Sequence, residues 1–152
     1  MATIFETDAP KRDLSGLAAQ LRLVITRTAR RLRQEAGTDL GPSQTSALAT
    51  IDRHGPLTPS ELARLERIQR PSATRIVARL EEASLVERVA DPSDGRSFTV
   101  SATTEGHALM KKLRSRKNAY LARRLRGLDS DDLATLDRAA SLLEGLLEGE
   151  RR

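Results

Sequence analysis

Cysteine is absent from this 152-residue chain. Disulfides, thiol redox sensing, iron–sulfur clusters and cysteine-based zinc sites are thereby excluded. Aromatic residues make up 2% of the chain and tryptophan is missing. The core must be built from Leu, Ile, Val and Ala. Histidine occurs twice, as His54 in a turn and His107 in an early helical turn. Neither has a nucleophile or a cluster of metal ligands beside it, so no catalytic residue, metal or cofactor is expected. The acidic run Asp129-Ser130-Asp131-Asp132 reads as a helix cap rather than a cation site. No apolar run approaches bilayer length, and Met1 to Pro10 lacks the apolar core of a signal peptide. The expectation is a soluble, cytoplasmic protein without a membrane partner.

Charge is what the chain has in quantity. Charged residues are 31% of it, hydrophobic residues 38%, and the formal net charge is +5. This composition suits a mainly α-helical protein of one domain. The charge is unevenly placed. Residues 11–36 carry seven basic side chains and two acids, and residues 103–126 carry eight and one. Residues 127–152 carry three basic side chains and seven acids. A basic balance favours polyanionic partners, although abundant arginine alone is weak evidence for them.

Residues 1–12 read as a flexible N-terminal arm in which Ile4 and Phe5 are free to dock on a neighbour. A single domain follows over 13–148. Its first helix spans 13–36, with Leu14, Leu17, Leu21, Val24, Ile25, Thr28 and Leu32 at three- and four-residue steps and Gly37 as C-cap. A second helix starts at Gly41-Pro42-Ser43, with Ser43 as expected N-cap and Leu48 and Ile51 turned inward. It runs through Arg53. Thr58 and Glu61 form a capping box for the third helix, with Pro59 at its first position and Leu62 and Leu65 facing the core. Glu66 to Gln69 make a turn.

The fourth helix, Arg70 to Leu80, buries Ala73, Ile76, Val77 and Leu80. Its opposite face carries Ser72, Arg75, Ala78 and Arg79, with Thr74 at the margin. No acid interrupts that face before Glu81. Val86–Val89 and Phe98–Val100 then alternate as strands, joined by turn chemistry at Asp91-Pro92 and Asp94-Gly95. Arg96 falls near the hairpin tip. Thr103 or Thr104 caps a fifth helix through about Arg126, and Asp129 or Ser130 caps a sixth. Leu133, Leu136, Ala140, Leu143 and Leu147 on the sixth repeat like a coiled-coil seam. Such a seam fits a dimer of terminal helices. It fits equally well intrachain packing of the first, fifth and sixth helices.

Helix, turn, helix, hairpin, helix is the order of a winged helix-turn-helix. At Leu85-Val86-Glu87-Arg88-Val89-Ala90-Asp91-Pro92-Ser93-Asp94-Gly95-Arg96 the chain resembles the MarR family of bacterial transcription regulators. Asp91, Asp94 and Arg96 match its Asp-x-x-Asp-x-Arg wing, and Thr103 and Gly106 its Thr-x-x-Gly. His54 to Ala63 and Pro71 to Val77 look like its third and fourth helices. Ala102 departs from the Leu usual before that Thr.

The resemblance, covering about Leu14 to Leu147, implies a homodimer. Its base would be 13–36 and 103–148, through Leu14, Leu17, Leu21, Leu136, Ala140, Leu143 and Leu147. Residues 43–102 would form the winged-helix lobe that binds double-stranded DNA. Carried onto matching positions, Arg70, Ser72, Thr74 and Arg75 approach the major groove, flanked by Arg79. Arg96 enters the minor groove, oriented by Asp94. Guanidinium binds guanine bidentately, and a narrow minor groove attracts arginine. The family implies a sequence-specific regulator, a repressor on an inverted repeat, released by a small molecule that no residue here identifies. A nonspecific architectural DNA binder is the alternative. A membrane-surface role for the Arg-rich first helix is poorly supported, because its apolar face has no Trp or Phe.

Overall fold

The apolar spacing along the chain produces six helices and one hairpin. A computed structural model describes residues 13–149. The order is α1 (Leu14–Ala36), α2 (Pro42–His54), α3 (Pro59–Glu66), α4 (Arg70–Glu82), β1 (Val86–Ala90), β2 (Phe98–Ala102), α5 (Thr104–Leu125) and α6 (Ser130–Gly149). The expected arm, with Ile4 and Phe5, lies outside the described residues.

Most caps match their sequence signals. Gly37 ends α1 in the left-handed region at φ 60°. The Glu61 N–H donates to Thr58 Oγ1 at 3.2 Å and the Thr58 N–H donates to Glu61 Oε2 at 2.8 Å. Those bonds from Thr58 hold the Glu61 carboxyl below its usual range. Thr103 caps α5 through the Gly106 N–H at 3.1 Å. Asp129 caps α6 through the Asp132 N–H at 2.8 Å.

One cap differs. Gly41, not Ser43, is the N-cap of α2. Pro42 supplies a helical φ at the first position and has no N–H to satisfy. Gln44 Oε1 then reaches back to the Gly41 N–H at 3.0 Å. Ser43 therefore sits inside the first turn.

The hairpin is longer than its alternation suggested. Val86 pairs with Ala102, Arg88 with Val100 and Ala90 with Phe98. Leu57, in the α2–α3 loop, adds a bridge to Val100, with N–H to O distances of 3.0 and 2.7 Å. The wing is thus tied to the loop that introduces α3.

Leu48, Ile51, Leu62, Val77, Leu80, Val100 and Leu113 are fully buried and form the centre of the core. Burying each contributes about 1.5–3 kcal/mol. Leu65 does not join them and is 41% exposed. The inward face of α3 is Pro59, Leu62 and Ala63, and Leu65 falls roughly 100° from its centre. Ile76 is half-buried at the core's edge.

The core lies under α2, α3, α4 and the start of α5. α1 runs along α5 but buries only Ala36. No residue of α6 is buried. Intrachain packing therefore accounts for α1 against α5 but buries no residue of α6.

Candidate nucleic-acid interface

The outward face of α4 is built by what α4 buries. Ala73, Val77 and Leu80 are buried, which turns Arg70, Thr74, Arg75 and Arg79 to solvent. Ser72 and Ala78 are half-buried at the flank. Thr74 Oγ1 donates back to the Arg70 carbonyl at 3.1 Å. Its hydroxyl thus remains available only as an acceptor. No salt bridge holds Arg70, Arg75 or Arg79 among the described residues. There is no acid in the first turn of α4. This is a helix whose positive N-terminal half is unneutralised.

Arg75, Arg79, Ser72 and Ile76 share a hollow of about 360 Å³ with Gly41 to Gln44, the N-terminus of α2. The first-turn N–H groups of α2 face no acid of their own. A helix N-terminus beside two guanidiniums is suited to a phosphate oxygen. Sequence reasoning did not assign α2 to this surface. The signal for it was present, since Gly41-Pro42-Ser43 starts a helix without an acidic first turn.

The wing loop is shaped by its two aspartates. Asp91 Oδ1 accepts from the Ser93 N–H at 2.9 Å and from Ser93 Oγ at 2.7 Å. The Ser93 hydroxyl and N–H hold the Asp91 carboxyl below its usual range. Asp94 Oδ1 accepts from the Arg96 N–H at 3.0 Å, and its Oδ2 accepts from Ser97 Oγ at 3.2 Å. Asp94 thus acts on the backbone of Arg96. No ion pair joins it to the guanidinium, so the Arg96 head is free among the described residues.

Arg96 and Arg70 border one hollow of about 170 Å³ along the start of α3. The sequence separated these two arginines by 26 positions and by groove. The Leu57 bridge and the β1–β2 register bring them together. The wing is braced on α4 as well. Arg88 Nε donates to Glu81 Oε2 at 2.7 Å, and its guanidinium lies 4.6 Å from the centroid of the Phe98 ring.

The end of α3 is also pinned. Glu66 accepts from Ser46 Oγ at 2.6 Å and from the Thr50 hydroxyl, joining α2 to the turn before α4. Below the interface, Asp52 of α2 meets His107 Nδ1 at 2.5 Å and Arg114 of α5 at 2.9 Å. Burial alone raises the Asp52 carboxyl. The hydrogen bonds and charges of Arg114 and His107 outweigh it and leave the group below its usual range.

The leucines expected at a dimer base are available for contact. Leu14, Leu17, Leu136, Ala140 and Leu147 are exposed, and Leu21 and Leu143 are half-buried. No group of three or more His, Cys, Asp or Glu that could hold a metal occurs among the described residues. None of their helices is long and apolar enough to cross a membrane.

The helix-turn-helix, its hairpin and the cationic face define a DNA-binding protein of the winged helix-turn-helix class. A model of the MarR family matches residues 40–98. An HTH-type transcriptional regulator of Mycobacterium leprae is 38% identical over 87% of this chain and 93% of its own. The HTH-type transcriptional repressor MdtR of Bacillus subtilis is 34% identical over 60% of this chain and 59% of its own. The crystal structure of a transcriptional regulator from Pseudomonas aeruginosa superposes with a TM-score of 0.81 at 36% identity, covering 91% of this chain and 98% of its own. The chain belongs to the MarR family of transcriptional regulators.

Proposed function

We propose that this regulator is a cytoplasmic homodimer that represses transcription by binding an inverted-repeat operator, and that it acts by binding rather than catalysis. The observation that carries the reading is the cationic face. Arg70, Arg75, Arg79 and Arg96 are exposed, lack ion-pair partners among the described residues and surround the entry to α4. In this reading Arg70, Ser72, Thr74 and Arg75 meet the major groove, flanked by Arg79. Asp94 sets the wing backbone so that Arg96 reaches the minor groove. Repression is supported by the likeness to MdtR. Dimerisation is supported by α6, because five of its six leucines are 39% or more exposed and the sixth, Leu143, is half-buried. The base would comprise 13–36 and 103–148, and the DNA lobe 43–102.

Release by a small effector is supported by a hollow of about 250 Å³ between α1, α2 and α5. Ala36, Leu40 and Leu113 line its floor, and Arg33 and Lys117 border it. An apolar floor with cations at the rim suits a small anionic molecule.

Footprinting of the region upstream of the protein's own gene tests the reading. Two protected half-sites about 34–36 Å apart are expected. Equal protection of random DNA would favour the architectural alternative, and full-strength binding to one half-site would exclude the dimer.

A further inference from the structure

α6 carries two kinds of unsatisfied surface. Its seam of leucines includes exposed Leu136 and Leu147 and half-buried Leu143, and no residue of the helix is buried in its own chain. Beside the seam runs an acidic stripe. Asp137, Glu144 and Glu148 stand at i, i+7 and i+11, which places them on one side of the helix. None of the three has an ion-pair partner among the described residues.

α1 shows the opposite arrangement. Leu17 and Val24 are exposed apolar positions, and Arg27 and Arg31 follow on the adjacent side. There α1 and α5 enclose a groove of about 490 Å³, bordered by Arg27, Arg30, Arg31 and Arg124 around Tyr120. The guanidiniums of Arg31 and Arg124 lie 5.7 and 5.4 Å from the Tyr120 ring centroid. The Arg31 hydrogen bond holds the Tyr120 phenol below its usual range. Glu35, paired with Arg31 at 2.7 Å, is the acid at this cluster. Arg27 and Arg30 have no ion-pair partner among the described residues. Four cations and one acid leave a strongly positive groove flanking an apolar stripe.

We propose that the acidic stripe of α6 seats in the Tyr120 arginine groove of a second copy of this chain, reciprocally, while the leucine seam covers the partner's α1 stripe. The inference rests on the homodimer reading and adds its charge pairing. Each helix offers an apolar stripe with a charged flank, and the signs are opposite. Because each copy supplies one stripe and one groove, two sets of contacts form per dimer. The assembly is accordingly salt-responsive, and so is DNA binding beyond its phosphate contacts.

Two full-length variants test the proposal. One reverses the stripe with Asp137→Lys, Glu144→Lys and Glu148→Lys. The other reverses the groove with Arg27→Glu, Arg30→Glu and Arg124→Glu. Circular dichroism checks that each is folded, and sedimentation reads its mass. Each variant alone should dimerise at least about tenfold more weakly than the parent, since like charges then face each other. An equimolar mixture should restore the dimer, because the basic stripe of one chain meets the acidic groove of the other. Folded variants that stay monomeric when mixed would overturn the proposal, as would two variants that dimerise like the parent. A groove variant that remains dimeric but loses binding of pyrophosphate, used as the probe, would assign the groove to a small anion instead. On the unaltered protein, the dimer Kd should rise about tenfold from about 0.05 to about 0.5 M salt as screening shortens. No change in Kd would also overturn the pairing. A parent chain monomeric at micromolar concentration would instead remove the homodimer reading beneath it.

Discussion

Gly106→Ala probes the joint between the wing and α5. A Cβ at Gly106 would stand 2.1 Å from the Leu85 carbonyl oxygen and 3.1 Å from its carbon. Ordinary contacts begin near about 3.5 Å, so α5 and Leu85 must part by roughly 1.4 Å. Two hydrogen bonds hold them where they are. The Thr103 N–H donates to the Leu85 carbonyl at 3.1 Å and Thr103 Oγ1 donates to the Ser84 carbonyl at 2.7 Å. Overpacking costs about 1–3 kcal/mol, and weakening one of these bonds adds about 1 kcal/mol. Alanine's better helix propensity returns up to about 1 kcal/mol. The net loss is about 1–3 kcal/mol. In a chain of this size each kcal/mol moves Tm by about 2–4 °C, so Tm should fall by about 2–12 °C. Melting is followed by circular dichroism at one fixed protein concentration, because the Tm of a dimer depends on it. Gly145→Ala is the control. Nothing lies within 4 Å of a Cβ there, and the change should stabilise by about 0.5–1 kcal/mol. A Gly106→Ala protein that melts at or above the parent temperature would refute the reasoning.

Arg75→Ala should lose about 1–3 kcal/mol on the operator and relax preference at one base pair per half-site. Arg96→Ala should lose most on sites with A·T-rich flanks. Titration against operator, flank-swapped operator and random DNA at one salt concentration checks both, and equal losses on all three would reduce these arginines to phosphate contacts. Replacing both Leu136 and Leu143 with Asp should abolish dimer and DNA binding together, since burying a bare carboxylate costs several kcal/mol, on the order of 3–5; light scattering reads the mass. Asp52→Asn concerns acid stability. The Asp52 carboxyl is depressed in the folded protein, so its ion pairs stabilise above the unfolded value, about 3.9, and that stabilisation is lost as pH falls through the folded one. The Asn variant should be less stable at neutral pH and show a flatter acid limb in urea titrations. An unchanged acid limb would detach Asp52 from the stability of the α2–α5 joint.

By itself the sequence determined the local structure, because local structure is decided by neighbours a few positions apart. The Thr58–Glu61 box, the glycine after α1, the apolar steps of α4 and the Asp-rich hairpin turn each state their conformation within one or two helical turns. The outward face of α4 follows from the same spacing, since turning Ala73, Val77 and Leu80 inward leaves Arg75 and Arg79 outside. The family wing motif was legible for that reason too, although the role of Asp94 was not. Its carboxylate holds the Arg96 backbone, and sequence spacing cannot distinguish a backbone partner from a side-chain one.

Tertiary structure decided what depends on contacts distant in sequence. Leu57 joins Val100 across 43 positions through one bridge, too short to leave a periodic trace. That bridge sets Arg96 beside Arg70. Gly106 is required by a carbonyl 21 residues upstream, which no local rule of helix formation reveals. The N-terminus of α2 joins the cationic face only because α2 packs against α4. The leucine seam of α6 is legible in sequence, but a seam is the same pattern whether its cover lies in its own chain or another. What the packed chain adds is that α1 lies along α5 while nothing of α6 is buried, and that is the support for a cover from a second copy.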